Sequence, residues 1–183
     1  MIRRAVIFAA IALGAAAPAL AAPSAAAAQD LGPPLIRAAT PCAVGQAIAA
    51  YWMQQDGGAR RIFDDQPVAG DRSNLGVPAD ISPKLFDKWR SGPDVSLLDA
   101  CPDTRKAVEA YGPFATPDDR LRASGVRHGP YLVRIGAPVA NRTDLIIAVH
   151  SHCAGLCGYG GVLHYRKTAQ GWVRMAPLMI VLS

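Results

Sequence analysis

Residues 144–172 read DLIIAVHSHCAGLCGYGGVLHYRKTAQGW, and their reading decides the fold. Asp144 to Cys153 is an apolar run of strand length, and Val162 to Lys167 is a second. The turn Thr168-Ala169-Gln170-Gly171 leads into a third, Trp172 to Met175, as a hairpin does. Connections this short favour antiparallel pairing, because parallel strands need long crossovers. Tyr131 to Ile135 supplies a strand before this stretch and Leu178 to Leu182 one after it. The expectation is an antiparallel β-meander of about four to five strands in the C-terminal third.

Upstream the texture is helical. Thr40-Pro41, Ser82-Pro83 and Thr116-Pro117 each place a capping hydroxyl before a proline at the first helical position. Val44, Ile48, Tyr51 and Trp52 then recur at helical spacing, with Gly57-Gly58 as the stop. Leu85, Phe86 and Trp89 form a second stripe ended by Gly92. Asp103 is the expected cap of a helix running to Tyr111, with Ala107, Val108 and Tyr111 facing inward. Asp118 and Asp119 suit the start of a fourth, short helix. Residues 64–80 carry breakers and no period, so they read as a loop. Helices first and strands after predict an α+β domain, the helical N-terminal half packed on one face of the sheet.

The first 28 residues begin with Arg3 and Arg4, continue in an apolar run to Ala17, and end in small residues. That order predicts a removable secretion signal cut near residue 21 or 28, too short for a membrane span. A flexible linker over residues 29–39 and a single domain over 40–183 complete the plan, with a periplasmic or secreted address and no membrane span after cleavage. The formal net charge is +5. It is unevenly spread, for Asp144 is the only acid from Arg120 onward. Such a basic third suits an anionic envelope component or another periplasmic protein as partner. No nucleic-acid recognition motif is present.

In an oxidising compartment four cysteines predict disulfides. Cys42 begins the first helix and Cys101 precedes the third, so they form one expected pair. Cys153 and Cys157 form the other, fixing the loop between the strands. On the strand from Asp144 the period of two sets Ile147, Val149 and Ser151 on one face. Ile146, Ala148, His150 and His152 share the opposite face. The candidate binding residues are His150, His152, Tyr159, Arg134 and Arg166. No cofactor is expected. The alternative is a metal-binding or thiol-redox protein using His150, His152, Cys153 and Cys157, or zinc or copper held by His150, His152 and His164. If the turn pairs Lys167 with Trp172, His164 faces about Met175 at the far end of that hairpin. No nucleophile elbow, zinc-protease or phosphate-loop motif occurs, so no catalytic residue is singled out and a non-enzymatic role is favoured.

Cys153, Leu156, Cys157, Gly158, Gly160, Gly171, Trp172 and Ser183 together form a pattern. In it the chain resembles the C-terminal region of a group of uncharacterised secreted bacterial proteins. The resemblance covers about residues 130–183, with Ala154 where the pattern has Gly, and with His150 and His152 outside it. It implies the strand–loop–strand architecture and a secreted address, and no activity.

Overall fold

The computed structural model describes residues 31–55, 60–69, 72, 75–125, 129–154 and 158–182. Among these, helices and strands make an α+β fold around one mixed sheet. Helix α1 spans Pro41–Met53, α2 Pro83–Ser91, α3 Leu97–Ala100, α4 Arg105–Glu109 and α5 Pro117–Ala123. The strands are β1 (Leu35–Ile36), β2 (Arg61–Phe63), β3 (Tyr131–Ile135), β4 (Val139–Ala140), β5 (Asp144–His152), β6 (Tyr159–Thr168), β7 (Gly171–Arg174) and β8 (Met179–Leu182).

The three hydroxyl-proline caps form. Thr40 Oγ1 accepts from the Ala43 amide at 3.2 Å, and Ser82 Oγ accepts from that of Leu85 at 3.5 Å. Thr116 and Asp119 close a full capping box on α5, with the Asp119 amide 3.1 Å from Thr116 Oγ1. Hydrogen bonds from Thr116 and Arg122 pull the Asp119 carboxyl down to about 2. Thr116→Ala is expected to cost about 1 kcal/mol of stability, read as a lower urea midpoint at unchanged slope.

The third expected helix is broken in two. Ser96 caps α3 through a hydrogen bond to the Asp99 amide, and the chain leaves helical geometry at Cys101 (φ −136°, ψ 65°). Pro102 explains the break, since the residue before proline is pushed out of the helical region. A 3-10 turn over Pro102–Thr104 leads into α4, so Asp103 lies inside that turn and caps nothing. Val108 is buried as expected, whereas Tyr111 is exposed. Helix α1 ends at Met53 with Gln54 as its cap; Gly57 and Gly58 lie outside the described residues.

The sheet order is β1-β7-β6-β5-β3-β2, with β4 on β5 and β8 on β6. Strands β5, β6 and β7 pair antiparallel in succession, and Lys167 faces Trp172 as the turn reading required. Gly171 at φ 132° supplies the backbone angle that turn needs. Three features depart from a simple meander. Strand β2 pairs parallel with β3. Strand β8 returns to β6 and pairs over Tyr159–Val162, leaving the other half of that edge to β7. Two strands from the N-terminal half, β1 and β2, are the last members of the sheet order at either end.

Residues 31–39 are therefore no loose linker where described. Leu31 is fully buried, and β1 pairs with β7. The Trp52 indole donates to the Leu31 carbonyl at 2.9 Å, the Tyr165 hydroxyl to Pro33 at 2.9 Å, and the Trp172 indole to Ala38 at 3.1 Å. Buried aromatic donors need acceptors, and this segment provides them.

Helices cover both faces of the sheet, not one. Val133, Ile147, Val149, Leu163 and Tyr165 pack against Val44, Ile48 and Trp52 of α1 and Leu97 and Leu98 of α3. On the opposite face Ile146 and Val162 pack against Leu85, Phe86 and Trp89 of α2. Farther along that face, Ile62 and Leu132 meet Ala123 of α5. A disulfide joins Cys42, in the first turn of α1, to Cys101 at the end of α3, with Cα atoms 5.6 Å apart. Among the described residues no helix is long and apolar enough to cross a membrane.

Candidate functional site

Between α2 and α5 the second sheet face is not fully covered by helix, and there β5 carries its two histidines. The burial pattern of β5 is continuous up to Val149, after which His150 and His152 are half-buried and Ser151, on the first face, is buried. The imidazole rings of His150 and His152 stack with centroids 6.0 Å apart, as residues two apart on a strand allow. Arg134 lies directly across from His150 in the β3–β5 ladder.

His150 also lines a cleft of about 270 Å³ between the sheet and α2. Ala148, His150, Gly161, Val162 and Met179 form its floor, and Val68, Ala69, Arg72 and Trp89 its walls. The surface is chiefly apolar with few polar groups, as small-molecule pockets are. Arg72 is committed to holding that wall. Its Nη1 donates to the Trp89 carbonyl at 2.9 Å, its Nη2 pairs with Asp94, and its guanidinium carbon stands 4.8 Å from the Trp89 ring centroid. A cation at the last turn of α2 also suits the helix dipole. At the floor Gly160 admits no side chain: a Cβ there would stand 2.5 Å from the Val149 carbonyl oxygen and 2.9 Å from His150 Cα. Glycine lets the two strands close with the His150 ring lying over residue 160.

Behind the histidines sits Asp64, which is fully buried. One carboxylate oxygen accepts from Arg120 Nε at 2.8 Å and the other from Arg134 Nε at 2.7 Å. Arg120 reaches on to Asp65 at 2.8 Å. The arrangement compensates a buried charge with two partly exposed guanidinium groups, whose distal N–H groups stay near solvent.

Both histidines resist protonation. Burial lowers the His150 pKa most, followed by His152 and Arg134. Burial and Arg134 lower that of His152, with Asp64 and a hydrogen bond to the Ala123 backbone in partial opposition. The unfolded chain takes up these protons near 6.5, the folded chain only at lower pH. Their contribution to stability is therefore complete above about pH 6.5 and is lost as pH falls through the depressed folded values. The urea midpoint is expected to drop between pH 7 and pH 5, and a His150→Gln/His152→Gln variant to drop less. Asp119 and Asp144, whose pKa values lie below 3.8, lose their contribution only in more acid solution. Equal losses in wild type and variant would assign the acid sensitivity elsewhere.

The other expected residues lie apart from this corner. His164 is fully buried opposite Ile146, whereas His150 stands opposite Gly160, so the three imidazoles do not converge. His164 Nε2 is 2.8 Å from Asp144 Oδ1, which Arg166 Nε also meets at 3.0 Å. Burial opposes ionisation of Asp144, but hydrogen bonds from Thr143, His164 and Arg166 outweigh it and lower its pKa. Arg166 thus serves an internal ion pair at the far end of β5, on the face it shares with Arg134. Tyr159 belongs to the first face, its ring centroid 5.9 Å from that of Trp52. Cys153 is disulfide-bonded, and its expected partner Cys157 lies outside the described residues. Among the described residues no group of three or more His, Cys, Asp or Glu is placed to hold a metal ion.

Sequence reasoning did not single out Asp64, Arg72, Trp89 or Met179 for this site. Asp64 follows the short apolar run Ile62-Phe63, and Arg72 stands in the loop between acids. The pattern of neither names its partner, 70 residues away for Asp64–Arg134 and 22 for Arg72–Asp94. No family model, curated protein or solved structure matches the chain.

Proposed function

We propose that this is an exported, non-enzymatic binding protein whose ligand is a small, largely apolar molecule seated in the cleft over His150. The cleft carries the reading: an apolar floor, the Trp89 wall, and one imidazole with neither ring nitrogen hydrogen-bonded among the described residues. Among the described residues that line the cleft none carries a hydroxyl or thiol, and Ser151 points to the opposite face. This moves the binding surface from the basic sheet face as a whole to one end of it. Arg166 is left out because Asp144 and the Asp80 carbonyl occupy its guanidinium.

Residues 1–28 are read as the secretion signal, with a periplasmic or secreted product. The Cys42–Cys101 bridge and the disulfide-bonded Cys153 suit an oxidising compartment. The resemblance to secreted bacterial proteins through residues 130–183 points the same way. The intact mass of the protein purified from the envelope, alkylated without reduction, tests this reading. A chain starting near residue 22 or 29 with no added label supports it, and a full-length or labelled chain overturns it.

An eight-carbon probe tests the cleft, offered as 1-octanol and as octanoate in calorimetric titration. Ala69 is exposed at the rim, so Ala69→Trp fills the cleft without entering the core. Saturable one-to-one binding that Ala69→Trp weakens by about tenfold or more is the expected result, a difference near 1.4 kcal/mol. Absence of saturable binding by either probe overturns the reading.

A further inference from the structure

We propose that the cleft takes an amphiphilic anion, an apolar chain or ring ending in one carboxylate, with its head held by Arg134, His150 and His152. This rests on the binding reading above and names the ligand's chemistry. The body of such a molecule finds Trp89, Val162 and Met179. Its head finds the end of the cleft at His150, the one residue that both lines the cavity and stacks on His152.

Three nitrogen-bearing side chains meet there from two neighbouring strands. Arg134 uses Nε on Asp64, and among the described residues its terminal N–H groups make no further bond. A guanidinium has five donors in a fixed fork, so a carboxylate can still be held by two of them. Among the described residues no hydrogen bond engages the His150 ring nitrogens, and His152 is tied to the Ala123 backbone. The opposing charge, Asp64, is fully buried and already shared between Arg120 and Arg134. Among the described residues the acids of this network are committed: Asp64 is shared by Arg120 and Arg134, and Asp65 is paired with Arg120.

The same corner couples binding to protons. Among the described residues the charged groups around the histidines are Arg134 on β3, Asp64 and Asp65 after β2, Arg120 on α5 and Arg72 in the cleft wall. Burial and Arg134, with His152 acting on His150, hold both imidazoles below their ordinary pKa while no anion is bound. A carboxylate head reverses that balance, so binding and protonation reinforce one another. Each proton taken up strengthens binding by as much as about tenfold per pH unit within the window between the free and bound pKa values.

The experiment is calorimetric titration of the mature protein with octanoate and 1-octanol at pH 7.5 and pH 6, wild type beside His150→Leu and His152→Gln. The His150→Leu change keeps an apolar wall and leaves the Arg134–Asp64 pair in place. Octanoate is expected to bind at least about tenfold tighter than octanol at pH 6, the size of one charged hydrogen bond. The preference is expected to shrink at pH 7.5 and to fall severalfold in each variant. Equal affinity for acid and alcohol, or a preference that pH and both folded variants leave unchanged, overturns the anionic head while the cleft reading stands. If neither probe binds saturably, both readings fall together.

Discussion

Replacing Cys42 and Cys101 together by alanine is expected to lower the unfolding free energy by about 4 kcal/mol. The bridge closes a loop with a sequence separation of 59 residues, and a loop of that length loses much chain entropy when its ends are tied in the unfolded state. It fastens the start of α1 to the end of α3, and both elements contribute to the larger core cluster. A domain of this size has only about 5–15 kcal/mol in hand, so the loss takes a large share of the total. Urea unfolding of oxidised wild type, reduced wild type and the double alanine variant measures it. The variant should unfold well below the oxidised chain, and reduced wild type, which also loses the Cys153 disulfide, no higher than the variant. A loss under about 1 kcal/mol would mean that the unfolded chain is already compact around this loop.

Asp64→Asn is expected to cost about 3 kcal/mol, the lower end of what breaking a buried ion pair removes. The carboxylate is fully buried, but Arg120 and Arg134 retain 29% and 24% side-chain exposure. Water can therefore recover part of their solvation once the anion is gone. Asparagine keeps one acceptor oxygen for one of the two Nε–H donors and turns an N–H₂ group toward the other. Asp94→Asn is the comparison: that carboxylate is 36% exposed, and although its partner Arg72 is 12% exposed, Arg72 keeps its bond to the Trp89 carbonyl, so about 1 kcal/mol is expected. Thermal or urea unfolding of the two variants side by side separates them, and similar losses would overturn the role given to burial at Asp64.

The hydroxyl-proline caps and the β5–β6–β7 ladder were legible because each is written in adjacent residues. So was the Cys42–Cys101 bridge, from the placement of both cysteines at helix ends. The covering of both sheet faces was also written, but in an absence. Leu145 to Val149 reads LIIAV with no polar residue alternating, which is how a strand covered on both sides reads. Taking the helices to lie on one face overlooked that signal. Tyr111 was misplaced for a local reason, since Pro102 splits the helix and changes which residues face inward. The shared face of His150, His152 and Arg134 was legible, because strand periodicity and pairing set it. The partners of Asp64, Arg72 and Trp89 were not, because contacts made through an aperiodic loop leave no spacing to read. The pairing of Arg166 with Asp144 across the ladder was not legible either, since no short-range pattern shows it.

The arrangement along β6 also has a consequence in time. Leu35 pairs with Val173, and Tyr159 pairs with Leu182, so both ends of the described chain join the sheet through its last segments. Strand β8 places Met179 in the cleft floor. A chain released gradually, from a ribosome or through a membrane pore, can fold its early helices and join Cys42 to Cys101 while half of β6 still has β5 alone for a neighbour. Only when β8 emerges does that edge close and the cleft gain Met179. The β1–β7 pairing joins residues far apart along the chain, and such non-local contacts form slowly, on the millisecond-to-second scale typical of sheet topologies. Ligand binding during refolding should accordingly lag behind the recovery of helical signal, making the cleft a late product of folding rather than a template for it.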